Sequence, residues 1–542
     1  MAGASKSEKS DSQSGGAAGA ELWPHEEARR LAERVAAYEP ARPVIFQSGF
    51  GPSGLPHLGT MAEILRPSFV RKAFRLLEPS RPSRLIVFID DLDGLRKVPE
   101  NVPNREDVEQ YLGVPVSKIP DPFGCCASFA DHMLAQLGGF LAPVEVEYEL
   151  ARASEMYSSG RFDDGLKLIL EKHAEIIAII APTLREENRA GWSPFMPICP
   201  KCGQVVERAV TAYHSERASV EFICEKSAGG VSGCGFSGEQ SVLGGKAKVQ
   251  WKVDWALRWY VLKVDYELYG KDLTDSARLS GQILRVMGAR PPLGFPFEMF
   301  LDEEGRKVSK SVGRGVTVDQ WTRYAPIEVL KMFLLLNPRR ARKLFLESIP
   351  QYVDEYLDAL REYAAASEEQ RRESVLEYAI QSTTPQRFNS TLTFGLMMNA
   401  VAALGSSDRD FIWKYIVRYD ASIAGDPETE KMGRALMECA LNFYRDFVEP
   451  TKKIYTPTDA ERAQLKTLDA YLRENQDASA EEIEKKIYDL GRENYDKPGK
   501  IFPLLYRSIL GQERGPRLGA FIRLATPARV VELLDATIAR IS

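Results

Sequence analysis

Two short segments some 250 residues apart carry residue types suited to phosphate chemistry. Gly51-Pro52-Ser53-Gly54-Leu55-Pro56-His57-Leu58-Gly59-Thr60 is a glycine- and proline-rich turn that delivers a histidine to a helix start. Lys307-Val308-Ser309-Lys310-Ser311 is a lysine-bearing loop between Asp302 and Gly315. Gly49, Gly51 and Gly54 let the backbone turn tightly and approach a ligand. The helix that follows points free N–H groups and its positive dipole end at that ligand. An anion fits there, and His57 adds a donor that can follow charge onto phosphate oxygens. Lys307 and Lys310 can clamp the β- and γ-phosphates during an in-line displacement. Alone, one segment reads equally as a strand–helix turn and the other as a solvated basic loop. In this order and at this separation they point to one task, holding ATP while its α-phosphorus is attacked. The first segment is not a Walker loop, because the Gly-Lys-Ser/Thr ending is missing.

The surrounding pattern predicts the elements that hold these segments. Glu21 to Tyr38 has helical spacing and is stopped by Pro40 and Pro43. Val44-Ile45-Phe46 is β-prone and runs into the glycine turn. Beyond His57, apolar residues from Met61 to Phe74 recur at helical spacing. Leu85-Ile86-Val87-Phe88-Ile89 is the unbroken apolar run of a strand buried on both faces, and it ends in Asp90-Asp91-Leu92-Asp93. Strand, glycine turn, helix, strand opens a Rossmann-like, doubly wound parallel α/β domain, whose ligands sit at the carboxyl ends of strands. Residues 121–245 read as an insertion, dividing that domain into 21–120 and 246–335. From 336 to 542 the spacing is helical, for example over 352–363, 411–417, 431–447, 460–473 and 530–541, and predicts a separate all-α domain. Residues 1–20 are small and polar and read as a disordered tail.

Inside the insertion, Cys199-x2-Cys202 and Cys224-x9-Cys234 have Pro200, Gly203, Gly233 and Gly235 beside them. This predicts a tetrahedral four-cysteine zinc ribbon with knuckle turns that aim N–H groups at thiolates. So small a module has little core, and metal would supply its folding energy. Four thiolates leave no open position, so the zinc is assigned no chemistry. Cys125, Cys126 and Cys439 are read as ordinary thiols. Metal rather than disulfide use implies a reducing compartment, here the cytoplasm.

The two phosphate-directed segments resemble the HIGH and KMSKS signatures of class I aminoacyl-tRNA synthetases. His57-Leu58-Gly59-Thr60 stands for His-Ile-Gly-His, and Lys307-Val308-Ser309-Lys310-Ser311 for Lys-Met-Ser-Lys-Ser. Thr60 departs from the pattern: a hydroxyl can still donate to phosphate but carries no charge. Gly49–His57, Asp90–Pro99, Trp251–Trp259 and Gly511–Gly519 resemble class I lysyl-tRNA synthetase, and the resemblance spans nearly the whole chain after the tail. It implies lysine, ATP with Mg²⁺, and tRNA(Lys) as substrates, and an anticodon-binding role for the helical C-terminal domain. His57, Thr60, Lys307 and Lys310 are then the catalytic residues. Gly51, Ser53, Gly54, Gly59, Ser309 and Ser311 join them around ATP. Tyr269-Gly270-Lys271-Asp272-Leu273 looks like a later ATP-side element, with Asp272 on the ribose.

Lysine as substrate gives the acidic and aromatic residues a purpose. Its four-methylene stem wants apolar walls, and an ammonium gains from an aromatic face plus a carboxylate. Trp251, Trp255 and Trp259 share one helical face, with Asp254 and Arg258 as an i,i+4 pair on another. Asp90, Asp91, Asp254, Trp255 and Tyr269 are the candidates for the amino acid, or for Mg²⁺ at the aspartates. Each also has a plain reading as core stripe, ion pair or turn. Two other functions stay open: a class I enzyme of the glutamyl/glutaminyl branch, and a tRNA-binding paralogue without turnover.

A net charge of −5 over 542 residues gives no global positive field, so any RNA site is a local patch. Arg339, Arg340, Arg342 and Lys343 form one candidate, or a solvated face. No apolar stretch nears the roughly 20 residues of a membrane helix, and a monomer is expected.

Overall fold

The computed structural model describes residues 22–540 except 101, 228, 307–315, 382–386, 405–407 and 453. The tail 1–20 and the lysine loop 307–311 lie outside the described residues. Helix α1 (Trp23–Val35) precedes strand β1 (Val44–Phe50), helix α2 (Leu58–Leu77) and strand β2 (Ser83–Ile89). Strand β3 (Glu149–Arg152), helix α3 (Trp251–Leu262) and strand β4 (Tyr266–Glu267) complete the central layer. The four strands are parallel in the order β3-β2-β1-β4. The order reverses at β1, whose neighbours β2 and β4 are reached by separate crossovers. A crevice at the carboxyl ends of β1 and β4 is the usual consequence.

Alternation along the strands feeds two cores. Val44, Phe46, Phe50, Leu85, Val87 and Ile89 face one, shared with α1, α2 and the C-terminal helices. Ile45, Ile86 and Phe88 face the other, shared with α3 and the helices of residues 153–180. Pro67 lies inside α2 and supplies no N–H to the Glu63 carbonyl. The Ser48 hydroxyl of β1 donates to that carbonyl at 3.0 Å instead, which ties the helix to the strand.

β3 comes from within the segment read as the insertion, so the expected boundary at 121 is corrected: the sheet takes its edge strand from 149–152. Its residues are half-buried or exposed and lack the apolar run that marks β2. Residues 153–180 form helices Ala153–Ser158, Asp163–Glu171 and His173–Ile180. β4 is followed at once by a second short strand, Tyr269–Gly270, paired with Pro296–Phe297. From Ile349 to Ile538 the described regular elements are helices. Several start in reciprocal capping boxes, at Ser367/Gln370, Thr458/Glu461 and Ser479/Glu482.

Candidate active site

The glycine turn leaves β1 at the strand-order reversal and enters α2 through His57. His57 is the N-cap: its Nδ1 accepts the Thr60 N–H at 3.1 Å, and Thr60 Oγ1 accepts the His57 N–H at 3.5 Å. An imidazole that accepts at Nδ1 carries its hydrogen on Nε2 in the neutral form, so Nε2 is its donor. Gly59 makes room for the ring: a Cβ there would lie 2.6 Å from His57 Cε1. Cβ atoms at Gly51 or Gly54 would meet nothing within 4 Å, so the backbone there stands open ahead of the helix start. Thr60 is fully buried. Its expected role as a phosphate donor is therefore corrected to a capping role, because its hydroxyl turns back to the His57 backbone.

At the end of β2 the aspartates part company. Asp91 is buried and accepts from Arg152 Nε (2.8 Å), Ser154 N (2.7 Å) and Ser154 Oγ (2.6 Å). It locks β2 to β3 and the helix that follows, which removes it from the substrate group. Asp254 is also buried, with Oδ1 taking the Tyr157 hydroxyl at 2.5 Å and Oδ2 taking Arg258 Nε at 3.0 Å. With both oxygens engaged it is an internal strut rather than a pocket wall. Asp90 keeps part of its side chain exposed and accepts Arg258 Nη2 at 2.8 Å. Burial pushes its carboxyl up to about 7 against the pull of the Arg258 guanidinium. Asp93 pairs with buried Lys248.

The tryptophans form one stack. Trp255 lies between Trp251 (4.9 Å, 20°) and Trp259 (5.0 Å), with Tyr269 edge-on at 5.9 Å. Trp255 is buried and Trp251 is exposed at the outer end. The Asp254–Arg258 pair is internal because α3 packs between the sheet and the insertion. Burial alone would lower Arg258; Asp90 and Asp254 outweigh it and raise it. Arg258 also lies over the Phe88 ring at 4.2 Å. Asp272 sits in the turn before helix Thr274–Val286, close under Gly270, where a Cβ would come within 2.7 Å of its Oδ1.

Sequence reasoning missed Glu267 and Gln47. Glu267, on β4, accepts from Gln47 Nε2 at 2.8 Å and Trp259 Nε1 at 2.5 Å and is nearly inaccessible. Burial raises its carboxyl, opposed by Trp259 and Arg258. A glutamate and a glutamine within short apolar strands were the available signal, since a buried carboxylate is costly unless held for a purpose. Lys248, Arg258, Asp90, Asp93, Asp254 and Glu267 thus form one buried or half-buried charge group with two cations and four carboxyls.

In the ribbon, Cys199 and Cys234 sulfurs are 3.6 Å apart and Cys202 and Cys224 sulfurs 3.7 Å, with all four within 4.8 Å. Tetrahedral zinc at ordinary Zn–S lengths needs edges of about 3.8 Å. Gly203 and Gly235 adopt φ +74° and +75°, the left-handed step of each knuckle. The Phe236 N–H brings the Cys234 thiol down to about 7, while burial pushes Cys224 up to about 12, so the latter needs a cation to ionise. The four residues fit a structural zinc. In the basic run after the α/β domain, Arg342 is half-buried over Phe333, while Arg339, Arg340 and Lys343 are exposed.

The chain matches the family described as tRNA synthetases class I (K) over residues 21–383. It belongs to that family. It is 38% identical to a lysine–tRNA ligase of Rickettsia africae (strain ESF-5), over 95% of this chain and 97% of that protein. It is 39% identical, with the same coverage, to a lysine–tRNA ligase of Rickettsia bellii (strain OSU 85-389). A glutamate tRNA ligase structure from Elizabethkingia meningosepticum CCUG26117 aligns with TM-score 0.39 and 12% identity, over 92% of this chain and all of that one. Within the family's matched span lie the His57 turn, the Asp90 group, the cysteine ribbon and the tryptophan stack. No described helix is long and apolar enough to cross a membrane.

Proposed function

We infer that this chain is a lysine–tRNA ligase that activates lysine with ATP and transfers it to tRNA(Lys). The observation that carries the choice of amino acid is the surplus of carboxyls around Arg258 and Lys248. Asp90, Asp93, Asp254 and Glu267 outnumber Arg258 and Lys248. A cationic substrate completes that balance, whereas glutamate would add to the imbalance and glutamine would leave it. The Trp251–Trp255–Tyr269 surface supplies the apolar wall for the stem.

In the first step the lysine carboxylate attacks the α-phosphorus of ATP, forming lysyl-adenylate and expelling pyrophosphate. The open backbone of Gly51, Ser53 and Gly54, the helix start at Gly59 and the His57 Nε2–H stabilise charge on one side; Lys307 and Lys310, with Ser309 and Ser311, do so on the other. Asp272 takes the ribose. Mg²⁺ arriving with the nucleotide would neutralise phosphate charge and needs no dedicated protein cage. In the second step the 2′-hydroxyl of the terminal tRNA nucleotide attacks the mixed anhydride and AMP leaves. The proposed organisation is an α/β catalytic domain, split by a zinc-ribbon insertion, with a helical anticodon-binding domain after about residue 336, acting as a cytoplasmic monomer. Lys310→Ala tests the first step: adenylate formation should fall by several orders of magnitude with tRNA binding retained. A near-normal rate would remove the lysine loop from the reaction.

A further inference from the structure

The segment that leaves the lysine loop is gripped from far along the chain. Beyond Lys310, Thr317 caps helix Val318–Thr322 through a reciprocal box with Gln320. Arg323 and Tyr324 follow, and their partners lie 119 to 123 residues further on. Arg323 Nε donates to Asp446 Oδ2 at 2.7 Å, and the Tyr324 hydroxyl donates to the same oxygen at 3.0 Å. Asn442 Nδ2 donates to the Arg323 carbonyl at 3.1 Å. Phe443 and Phe447 hold the Tyr324 ring edge-on, at 5.9 and 5.1 Å.

The residues that grip it sit at a break in regular helix. Helix Pro427–Phe443 runs on into a π-helical turn, Tyr444–Val448. Such turns are rare and recur at functional sites. This one gathers Asn442, Phe443, Asp446 and Phe447 around Arg323 and Tyr324. We propose that Asp446 is a positioning residue for adenylate formation, which through Arg323 and Tyr324 fixes the exit of the lysine loop so that Lys310 meets the phosphates. That role rests on the reading of Lys310 given above.

The two flanks of the loop are held differently. At its entry, Phe300–Leu301 pairs with Arg342–Lys343, and Arg306 folds back on Asp302 through its N–H (2.8 Å) and Nε (3.0 Å). At its exit, Trp321 is buried in the core, and the polar hold beyond it comes from the π turn. The Asp446–Arg323 pair is partly exposed on both sides, and such pairs add little to stability. Its effect is directional: one carboxylate oxygen takes a guanidinium and a hydroxyl together, which sets the orientation of both side chains. Arg323 also holds the Asp446 carboxyl down to about 2, so the pair stays ionised through the range in which the enzyme works.

The test is a double-mutant cycle on lysyl-adenylate formation by the full-length protein, in single turnover with lysine, ATP, Mg²⁺ and tRNA. Asp446→Ala alone should slow this step about 2- to 30-fold with a thermal midpoint near wild type. On top of Lys310→Ala it should add less than about twofold, because a loop without that lysine has nothing left to place. The same slowing in both backgrounds would overturn the role, and so would a wild-type rate for Asp446→Ala. A near-normal rate for Lys310→Ala alone would instead remove the lysine loop from the reaction, and this role with it. Should Asp446→Ala fold poorly, Arg323→Met and Tyr324→Phe carry the same cycle with the same two readings.

Discussion

His57 holds two roles that substitution can separate. Its Nδ1 caps α2 through the Thr60 N–H, and its Nε2–H is proposed to follow charge onto the phosphates. Loss of an N-cap costs about 1 kcal/mol (range about 0.5–2). In a chain this long that is a fall in thermal midpoint of roughly 2 °C or less. Loss of a transition-state donor costs about 2.7–4 kcal/mol, a factor of about 10² to 10³ in rate. Asparagine caps as well as any residue but places no donor where the imidazole Nε2 reaches. His57→Asn should therefore keep the wild-type midpoint and lose about 10²- to 10³-fold in lysine- and ATP-dependent charging. His57→Ala should lose the same activity and the cap as well. Thr60→Val is the control: it removes the buried hydroxyl, should cost about 0.5–1 kcal/mol of stability, and should leave charging within about tenfold of wild type. Near wild-type charging by His57→Asn would show the imidazole to be a cap and nothing more. A Thr60→Val variant as slow as His57→Asn would show that the hydroxyl does reach phosphate, against the capping geometry.

Other outcomes follow from the charge group and the ribbon. Arg258→Met strands Asp90 and Asp254 without their shared cation and should cost about 3–5 kcal/mol; a urea midpoint close to wild type would contradict the buried pairing. Asp90, held up to about 7 by burial, is protonated below that pH. If its carboxylate attracts the lysine ammonium, KM for lysine should rise by up to about tenfold per unit as pH falls below 7. Asp90→Asn should have a high KM with no such titration, and a flat wild-type profile from pH 6 to 8 would discard the role. Cys202→Ser should lose the ribbon zinc, and hydrogen exchange should show residues 199–242 opening before β1 and β2; equal protection would mean that the ribbon folds without metal.

Much of the catalytic half was legible because local rules coincide there. The apolar run Leu85–Ile89 and the glycine turn before His57 each predict one conformation, and the sheet at those positions agrees. The cysteine spacing anticipated the close approach of four sulfurs, since knuckle glycines are needed wherever two such cysteines share a metal. What stayed hidden depended on tertiary contact. Asp90, Asp91 and Asp254 are alike in sequence, yet Arg152 and Ser154 claim Asp91, Tyr157 and Arg258 claim Asp254, and Asp90 keeps an open side. Those partners come from 61 to 168 residues away, apart from the i,i+4 bond of Asp254 to Arg258. β3 was missed because an edge strand with exposed Glu149 and Leu150 has no apolar signature. Glu267 was missed because nothing in a short strand marks a single acid as buried until Trp259 and Gln47 close over it.

Charging of total tRNA tests most directly whether a cationic amino acid pairs with the carboxyl-rich pocket. The purified protein, with ATP and Mg²⁺, would be given each labelled amino acid in turn, with tRNA present throughout. Lysine should give alkali-labile charging, and no other amino acid should charge. Charging with glutamate or glutamine would contradict the reading of Asp90 and Glu267, and tRNA binding without charging would contradict catalysis by His57 and the lysine loop.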